Sequence, residues 1–198
     1  MSVQPKPYYS FEDYLAAERE CRDEKHEYVA GQVFAMTGAS FNHNLIAANL
    51  VRHLGNRLES GPCLVVAADM RLRIETADAC TYPDVIVLCD RPSFHDGRRD
   101  VLTNPTLLVE VLSPSTEGYD RGGKFALYRH LPSLRQYLLV AQDRCAVDVF
   151  TRQPGDRWIL DAYTDPRAEI PLDSVGCTLP VGEIYAKADL APSPSSRS

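Results

Sequence analysis

Two nearly continuous apolar runs, each holding one carboxylate, constrain this chain more than any other feature. The first is YPDVIVLCD over residues 82–90, and the second is PTLLVEVLS over residues 105–113. Strands that are covered on both faces have such runs, whereas half-exposed strands alternate apolar and polar residues. A carboxylate buried among Val, Ile and Leu is costly unless a cation or hydrogen bonds compensate its charge. We therefore expect Asp84 and Glu110 to have a specific partner inside a buried sheet.

The sequence before these runs predicts two helices and a hairpin. Ser10 and Asp13 resemble a capping box and indicate a helix over about residues 10–24. The apolar face of this helix comprises Phe11, Tyr14 and Leu15. The segment HEYVAGQVFAMT alternates in polarity around Ala30-Gly31, as hairpins do. A second helix with one core face is predicted over residues 42–59.

The central and later parts of the chain are rich in predicted strands. A strand is predicted over residues 64–75, before the two apolar runs. A helix is predicted over about 117–131, after these runs, and it stops before Pro132. Further strands are predicted over 135–141, 145–151 and 157–163, the first two as a hairpin. This order predicts an α/β fold, with a mixed β-sheet flanked by helices.

Length and composition fit one globular domain. The chain has 198 residues, of which 44% are hydrophobic and 24% charged, enough to bury one core without disulfides. We expect a single domain over residues 8–187, with flexible termini at 1–7 and 188–198. The six cysteines are scattered without a C-x-x-C pair, so buried, reduced thiols are expected rather than a metal site or a disulfide framework.

Hydropathy and charge restrict the location and the partners. No apolar run approaches the roughly 20 residues that cross a bilayer, and the first residues lack the features of a secretory signal. We therefore expect a cytoplasmic protein with no membrane partner. The net charge of −6 argues against coating nucleic acid by bulk electrostatics, but metal-dependent nucleases also cluster carboxylates. A DNA-binding surface would be local, drawn from Arg71, Arg73, Arg91, Arg98, Arg99, Arg121, Lys124 and Arg129.

The carboxylates of the two apolar runs suit a divalent cation. If neighbouring strands carry Asp84 and Glu110, the two side chains meet at the edge of the sheet where these strands diverge. Hard oxygen ligands favour Mg²⁺ or Mn²⁺, which polarise phosphate and activate a bound water. Lys124, on the helix after Glu110, could place that water. Taken alone, a helix lysine is more often a solvent-exposed charge.

Four separated pieces of the sequence occur in the order of a known family. They are HEYVAGQVFAMTGASFNHNLIAANL, AADMRLRI, YPDVIVLCD and LLVEVLSPSTEGYDRGGKFALYRHLPSLRQYLLV. Together they resemble the Uma2 family of restriction endonucleases, a branch of the PD-(D/E)xK nuclease superfamily, over about residues 8–185. The resemblance implies that the α/β fold is of the restriction-endonuclease type. The resemblance implies that Asp84 and Glu110 are metal ligands, that Glu27 joins the metal site, and that His43 contacts the phosphate or a metal-bound water.

The sequence departs from the superfamily pattern at two positions. Leu112 stands two residues after Glu110, where a lysine is expected, and Gln32 stands where many members have an acidic residue. The resemblance implies that the lysine has moved to Lys124, within an Asp-x-x-x-Lys pattern that begins at Asp120. An apolar residue at position 112 is also what an inactive member of the family would have.

The combined prediction is Mg²⁺- or Mn²⁺-dependent hydrolysis of a DNA phosphodiester by a homodimer, because cutting two strands needs two sites. Two alternatives remain open. One is an inactive module of the same fold that binds nucleic acid or protein, which need not retain divalent-metal binding. The other is a metal-dependent hydrolase of small phosphoesters, which the negative net charge favours. Parallel assays on DNA and nucleotides separate this last alternative from a nuclease.

Overall fold

The computed structural model describes residues 8–36, 38–67 and 69–190. The strands are β1 His26–Val29, β2 Gln32–Ala35, β3 Leu64–Ala67, β4 Arg71–Ile74, β5 Ala79–Thr81, β6 Val85–Leu88, β7 Val101–Leu102, β8 Leu107–Leu112, β9 Gln136–Ala141, β10 Val147–Arg152, β11 Trp158–Tyr163, β12 Glu169–Leu172 and β13 Cys177–Pro180. The helices are α1 Phe11–Glu20, α2 Phe41–Leu58, α3 Glu117–Tyr119, α4 Phe125–Tyr128 and α5 Val181–Ile184. A π-helical turn over Asp120–Lys124 joins α3 to α4, and a 3-10 turn spans Glu75–Ala77.

The strands form two mixed sheets and a separate hairpin. One sheet has the order β2-β1-β5-β4-β7, and the other has the order β11-β10-β9-β8-β6-β3. Each contains one parallel pair, β4 with β7 and β8 with β9, while β12 and β13 pair by themselves. The predicted α/β architecture with mixed sheets and flanking helices is therefore confirmed, but the strands are divided between two sheets instead of one.

The N-terminal elements agree with the sequence pattern. Ser10 Oγ accepts a hydrogen bond of 3.1 Å from Asp13 N, which is the N-terminal cap of α1. The predicted apolar face of α1 is buried, although the helix ends at Glu20 instead of near residue 24. β1 and β2 form the predicted hairpin, and α2 matches the predicted second helix to within one residue at each end.

The strand predicted over residues 64–75 is wrong, because the segment forms β3 in one sheet and β4 in the other. Asp69 N donates a hydrogen bond of 2.7 Å to Ala67 O, which indicates a tight turn between the two strands. The chain changes sheet at this turn. It changes sheet again between β5 and β6, where Tyr82-Pro83-Asp84 connects the two strands.

The two faces of β8 point to different cores. Val109 and Val111 pack into a cluster that contains the buried face of α2. Leu108 and Leu112 point the other way, into a cluster shared with β4 and α4. Because successive side chains alternate across a strand, Glu110 lies on the same face as Leu108 and Leu112. This face places the carboxylate between the two sheets.

The C-terminal half combines confirmed and unpredicted elements. The β9–β10 hairpin and β11 follow the predicted strands, and the predicted helix over 117–131 is the α3–π-turn–α4 segment. β12, β13 and α5 were not expected, and their apolar residues join the core beside α2. The C-terminal end continues this packing, since Asp189 N donates a hydrogen bond of 3.2 Å to Asn42 Oδ1.

The cysteines contradict the expectation of buried, reduced thiols. Cys63 and Cys89 form a disulfide between residues that flank β3 and β6, which pair antiparallel with Leu64 opposite Leu88. Of the other four, Cys80 is buried, Cys145 and Cys177 are partly exposed, and Cys21 is exposed. Only Cys80 therefore fits the expected environment. The scattered spacing of the cysteines contained no signal for the cross-strand pair.

None of the helices in the described ranges is long and apolar enough to cross a membrane. The predicted flexible ends were 1–7 and 188–198. Residues 1–7 and 191–198 lie outside the described residues, as does Thr37 at the end of the predicted hairpin segment, whereas residues 188–190 pack against the fold.

Candidate active site

Asp84 lies where the chain passes from one sheet to the other. Pro83 has no N–H to donate to a strand ladder, so it suits the break between β5 and β6. The β6–β8 register pairs Val85 with Val109, and its continuation by one residue places Asp84 opposite Glu110. Asp84 Oδ2 accepts a hydrogen bond of 2.7 Å from Val111 N. The two carboxylates thus come from neighbouring strands, as predicted, but both strands lie inside the six-stranded sheet and not at its edge.

Lys124 is buried, with only 6% of its surface exposed. Its Nζ lies 3.1 Å from Glu27 Oε1 and 3.2 Å from Glu110 Oε1. A third carboxylate follows at 3.4 Å, from Asp120 Oδ1. Since Glu27 belongs to the five-stranded sheet and Glu110 to the six-stranded sheet, the ammonium group bridges the two. The interpretation of Lys124 as an exposed surface charge is therefore wrong for this chain.

Two residues that the sequence did not identify complete this environment. Asp120 is buried and lies four residues before Lys124, a spacing that places both on one side of a helix. Tyr128 donates a hydrogen bond of 2.7 Å to Glu110 Oε1 and lies 3.1 Å from the Thr81 hydroxyl. The Asp-x-x-x-Lys spacing could have revealed Asp120, whereas no spacing in the sequence links Tyr128 to Glu110.

A π-helical turn and a glycine shape the segment that holds Lys124. Turns of this kind are rare in proteins overall, but those that occur are often found at functional sites. A side-chain Cβ at Gly123 would lie 2.5 Å from Cδ2 of Tyr119, so glycine permits the close approach of this ring. The Lys124 Nζ is 5.9 Å from the centre of the same ring. Burial raises the pKa of the Tyr119 phenol to about 12, and the charge of Glu27 adds to this effect.

Burial and negative charge shift the pKa values at the centre. Burial raises the pKa of Glu110 to about 8, the positive charge of Lys124 opposes this shift, and Asp84, Asp120 and Glu27 reinforce it. Burial also opposes the charged form of Lys124, but the charges of Glu110 and Glu27 raise its pKa well above 10.5. Lys124 therefore stays protonated, while Glu110 is largely protonated at neutral pH.

His43 contacts Asp84 from the start of α2. Its Nε2 lies 3.3 Å from Asp84 Oδ2, and its backbone N donates to Ser40 Oγ at 3.1 Å, which caps the helix. Within the described part of the chain, the buried Nδ1 has no hydrogen-bond partner. Burial lowers the pKa of His43, but the hydrogen bond and charge of Asp84 outweigh burial and raise it above 6.5.

The balance of charge at the site favours an added cation. The carboxylates are Glu27, Asp84, Glu110 and Asp120, and the basic groups are Lys124 and His43. Negative charge is in excess even when the imidazole is protonated, and the charges of Asp84, Asp120 and Glu27 add to the effect of burial in raising the pKa of Glu110. Among the described residues, no three side chains of His, Cys, Asp or Glu are grouped as a metal site. A pair of carboxylates still fits Mg²⁺, which retains waters and takes its other ligands from the substrate.

Several arginines that the sequence suggested for a DNA-binding surface are engaged inside the protein. Arg73 is buried, and its guanidinium lies 3.8 Å from the centre of the Phe11 ring. The ion pairs are Arg71–Asp100, Arg73–Asp78, Arg121–Glu117 and Arg121–Asp148. The burial of Arg73 removes it from the predicted DNA-binding surface, whereas Arg71 and Arg121 are partly exposed and paired with carboxylates of this chain.

Comparisons with known proteins identify the family of this chain. The Uma2 family, with the description "Putative restriction endonuclease", matches residues 11–182. The chain belongs to the Uma2 family. Two relatives from Synechocystis are uncharacterized protein slr1290, 41% identical over 91% of this chain and 93% of its own length, and uncharacterized protein sll1609, 36% identical over 80% and 89%.

A crystal structure of similar fold comes from Anabaena variabilis. It is described as a "putative nuclease belonging to DUF820", and it superimposes with a TM-score of 0.72 at 16% identity. The alignment covers 89% of this chain and 97% of that one. At this identity, the similarity establishes the fold.

Family membership makes Leu112 informative. Leu112 shares the face of β8 with Glu110 and is buried in the core between the sheets. A lysine at position 112 would have to reach its partners from within this apolar cluster. Lys124 approaches the same carboxylate from the helical segment instead, 3.2 Å from Glu110 Oε1. A lysine is thus present beside Glu110 although the strand position is apolar.

Proposed function

We propose that this Uma2 protein is an Mg²⁺- or Mn²⁺-dependent endonuclease that hydrolyses DNA phosphodiester bonds. One observation carries the proposal: a buried lysine lies within 3.2 Å of two glutamates from different sheets, beside an aspartate opposite one of them. Grouping three buried carboxylates with the partly exposed Asp84 in one region is costly. Such an arrangement is understandable when the charges serve a reaction on phosphate.

The proposed metal ligands are Asp84 and Glu110, with Glu27 acting through the metal or a bound water. When bound, the cation lowers the pKa of a water and neutralises charge on the phosphate. Asp84 is fixed for this role by Val111 N and His43, and Glu110 is fixed by the Tyr128 hydroxyl.

Lys124 is the proposed catalytic cation. Its ammonium has three protons, and the surrounding carboxylates hold it in one place. A fixed ammonium positions the attacking water or stabilises charge that develops on the phosphate. His43 contributes by orienting Asp84, and in its charged form it adds positive charge near the phosphate.

Parallel assays of the wild-type protein with Mg²⁺ or Mn²⁺ test which substrate it hydrolyses. Supercoiled plasmid, linear duplex, single strands and nucleotides are incubated side by side, with Asp84→Asn as the inactive control. We expect metal-dependent DNA cleavage that Asp84→Asn abolishes. Hydrolysis of nucleotides without DNA cleavage would identify a small-phosphoester hydrolase. Absence of both hydrolysis and Mn²⁺ binding would identify an inactive binding module.

The proposal extends to the assembly and the extent of the domain. A homodimer supplies two sites for the two strands of a duplex, and sedimentation of the intact protein measures this state. We also propose that residues 8–187 form one folding unit, because elements from both ends of this range join the cores around the two sheets. A single cooperative unfolding transition is the expected result.

A further inference from the structure

Two exposed aromatic rings flank the buried lysine. Phe34 and Tyr119 are 48% and 40% exposed, values that are unusual for rings beside a buried charged centre. Phe34 lies on β2 directly opposite Glu27 of β1. Directly opposed residues in an antiparallel pair project from the same face, so the Phe34 ring stands next to the Glu27 carboxylate.

Tyr119 approaches the centre from the helical segment. Its ring lies against Gly123, where a side chain would collide with it, and 5.9 Å from Lys124 Nζ. The ring therefore packs closely against the helical segment, yet a large part of it remains accessible. Phe34 and Tyr119 come from different elements. Phe34 lies opposite Glu27, which pairs with the Lys124 ammonium, and Tyr119 lies beside that ammonium itself.

We propose that Phe34 and Tyr119 stack on unpaired bases beside the scissile phosphate, so that the preferred substrate is single-stranded or locally unpaired DNA. This inference rests on the proposed function. An aromatic side chain stacks on any base, because every base has a π-face, but the face is accessible only when the base is out of a duplex stack.

The charges around the site support stacking as the source of affinity. A duplex held through its backbone needs several phosphate contacts from Lys and Arg. Arg71, Arg73 and Arg121 are engaged with carboxylates of this chain, and Lys124 is enclosed by three. The net charge is −6. Base stacking adds affinity without further cations, and the exposed rings of Phe34 and Tyr119 are suited to such stacking.

The test measures binding and cleavage separately. Binding of single-stranded and duplex oligonucleotides containing 2-aminopurine is followed by fluorescence in Ca²⁺, and cleavage of the same molecules is followed in Mn²⁺. The variants are Phe34→Leu and Tyr119→Leu, which keep an apolar side chain but lack a ring, and Phe34→Trp and Tyr119→Phe, which keep one. Leu160→Ala is the matched control, since Leu160 is exposed on β11 at the far end of the six-stranded sheet.

We expect single strands to bind at least tenfold more tightly than the duplex. Each leucine variant should weaken single-strand binding by about fivefold to 100-fold, the range of one base–aromatic stack. Phe34→Trp, Tyr119→Phe and Leu160→Ala should bind within about twofold of wild type.

Three results would overturn the inference. If duplex is bound and cleaved as well as single strands and the leucine variants are unchanged, the stacking role is wrong while the nuclease proposal stands. If the leucine variants convert a dimer to a monomer without a change in single-strand affinity, the rings belong to a contact between copies. If wild type neither binds nor cleaves any of the oligonucleotides, the proposed function fails and this inference fails with it.

Discussion

Lys124 Nζ lies 3.2 Å from Glu110 Oε1, although 14 positions separate the two residues in the chain. The lysine expected two residues after Glu110 is replaced by the buried Leu112, and a lysine from the following helical segment lies beside the carboxylate instead. The same ammonium contacts Glu27 and Asp120. It therefore has a structural role in the metal-free protein as well as the proposed catalytic role, and the predictions below separate the two.

The first prediction concerns stability. Lys124→Met leaves Glu27, Glu110 and Asp120 buried without their shared cation, and breaking a buried ion pair typically costs about 3–5 kcal/mol. We expect the free energy of unfolding in urea to fall by roughly this amount without metal. Added Mn²⁺ should restore much of the loss, because a bound cation replaces the missing charge and stabilises the folded state.

The control for this experiment is Lys187→Met, an exposed lysine. A surface change of this kind should alter the free energy of unfolding by no more than about 0.5 kcal/mol. Equal stability of Lys124→Met and wild type without metal would contradict the structural role of the ammonium.

The second prediction concerns pH. In the folded protein the pKa of Glu110 is about 8, against an ordinary value of 4.5. Between these two values the folded state retains a proton that the unfolded chain has lost, so Glu110 makes the metal-free protein less stable as pH rises through this window. Deprotonation also prepares the carboxylate for a cation, so Mn²⁺ affinity should rise by up to tenfold per pH unit until about pH 8.

Titration calorimetry in buffers of different ionisation enthalpy measures the proton that Mn²⁺ displaces. We expect proton release below pH 8 for wild type and a smaller release for Glu110→Gln, which cannot ionise at this position. An affinity that does not change between pH 5 and 8 would show that Glu110 takes no part in binding the cation.

The third prediction concerns Asp84. Asp84→Asn keeps an oxygen that accepts the Val111 N–H, so the fold should remain intact. The loss of one negative charge should abolish measurable Mn²⁺ binding and lower the pKa of His43, which Asp84 raises. Calorimetry measures the first effect and NMR titration of the imidazole measures the second. Asp161→Asn, an exposed carboxylate on β11, is the control, and unchanged Mn²⁺ affinity in Asp84→Asn would remove this residue from the metal site.

The fourth prediction concerns the Cys63–Cys89 disulfide. It links the residues beside β3, the edge strand of the six-stranded sheet, and its neighbour β6. The two cysteines are 26 positions apart in the chain. Reduction or a Cys63→Ser, Cys89→Ser double variant should lower the free energy of unfolding by about 2–4 kcal/mol. Cys21→Ser should have little effect, since Cys21 is an exposed thiol. A double variant as stable as wild type would contradict a stabilising disulfide.

Much of the fold was predictable because local sequence signals agree with it. The Ser10 cap, the Ala30-Gly31 turn and the periodic residues of α2 each determine a local structure that packing then preserves. The two sheets were not predictable in this way. The segment LVVAADMRLRIE over residues 64–75 has no glycine or proline to mark the turn at Asp69, where the chain leaves one sheet for the other.

The site was predictable in part for a similar reason. Asp84 and Glu110 are conspicuous because a carboxylate in an apolar strand needs compensation, and the strand register brings them together. Tyr128 has no such signal, since its aromatic ring suits a core and only the fold shows that its hydroxyl reaches Glu110. The pairing of Arg71 with Asp100 and of Arg121 with Asp148 was also invisible, because the partners are 29 and 27 positions apart in the chain.

The central claim is that Lys124 has taken over the role of the lysine missing at position 112. The most direct test is plasmid cleavage by wild type and Lys124→Met at saturating Mn²⁺, with Mn²⁺ affinity measured on the same samples. We predict that the variant binds Mn²⁺ at least as tightly as wild type but cleaves about 100-fold to 1,000-fold more slowly, the typical loss when one preorganised group near the reacting charge is removed. Cleavage by Lys124→Met at the wild-type rate would contradict the claim.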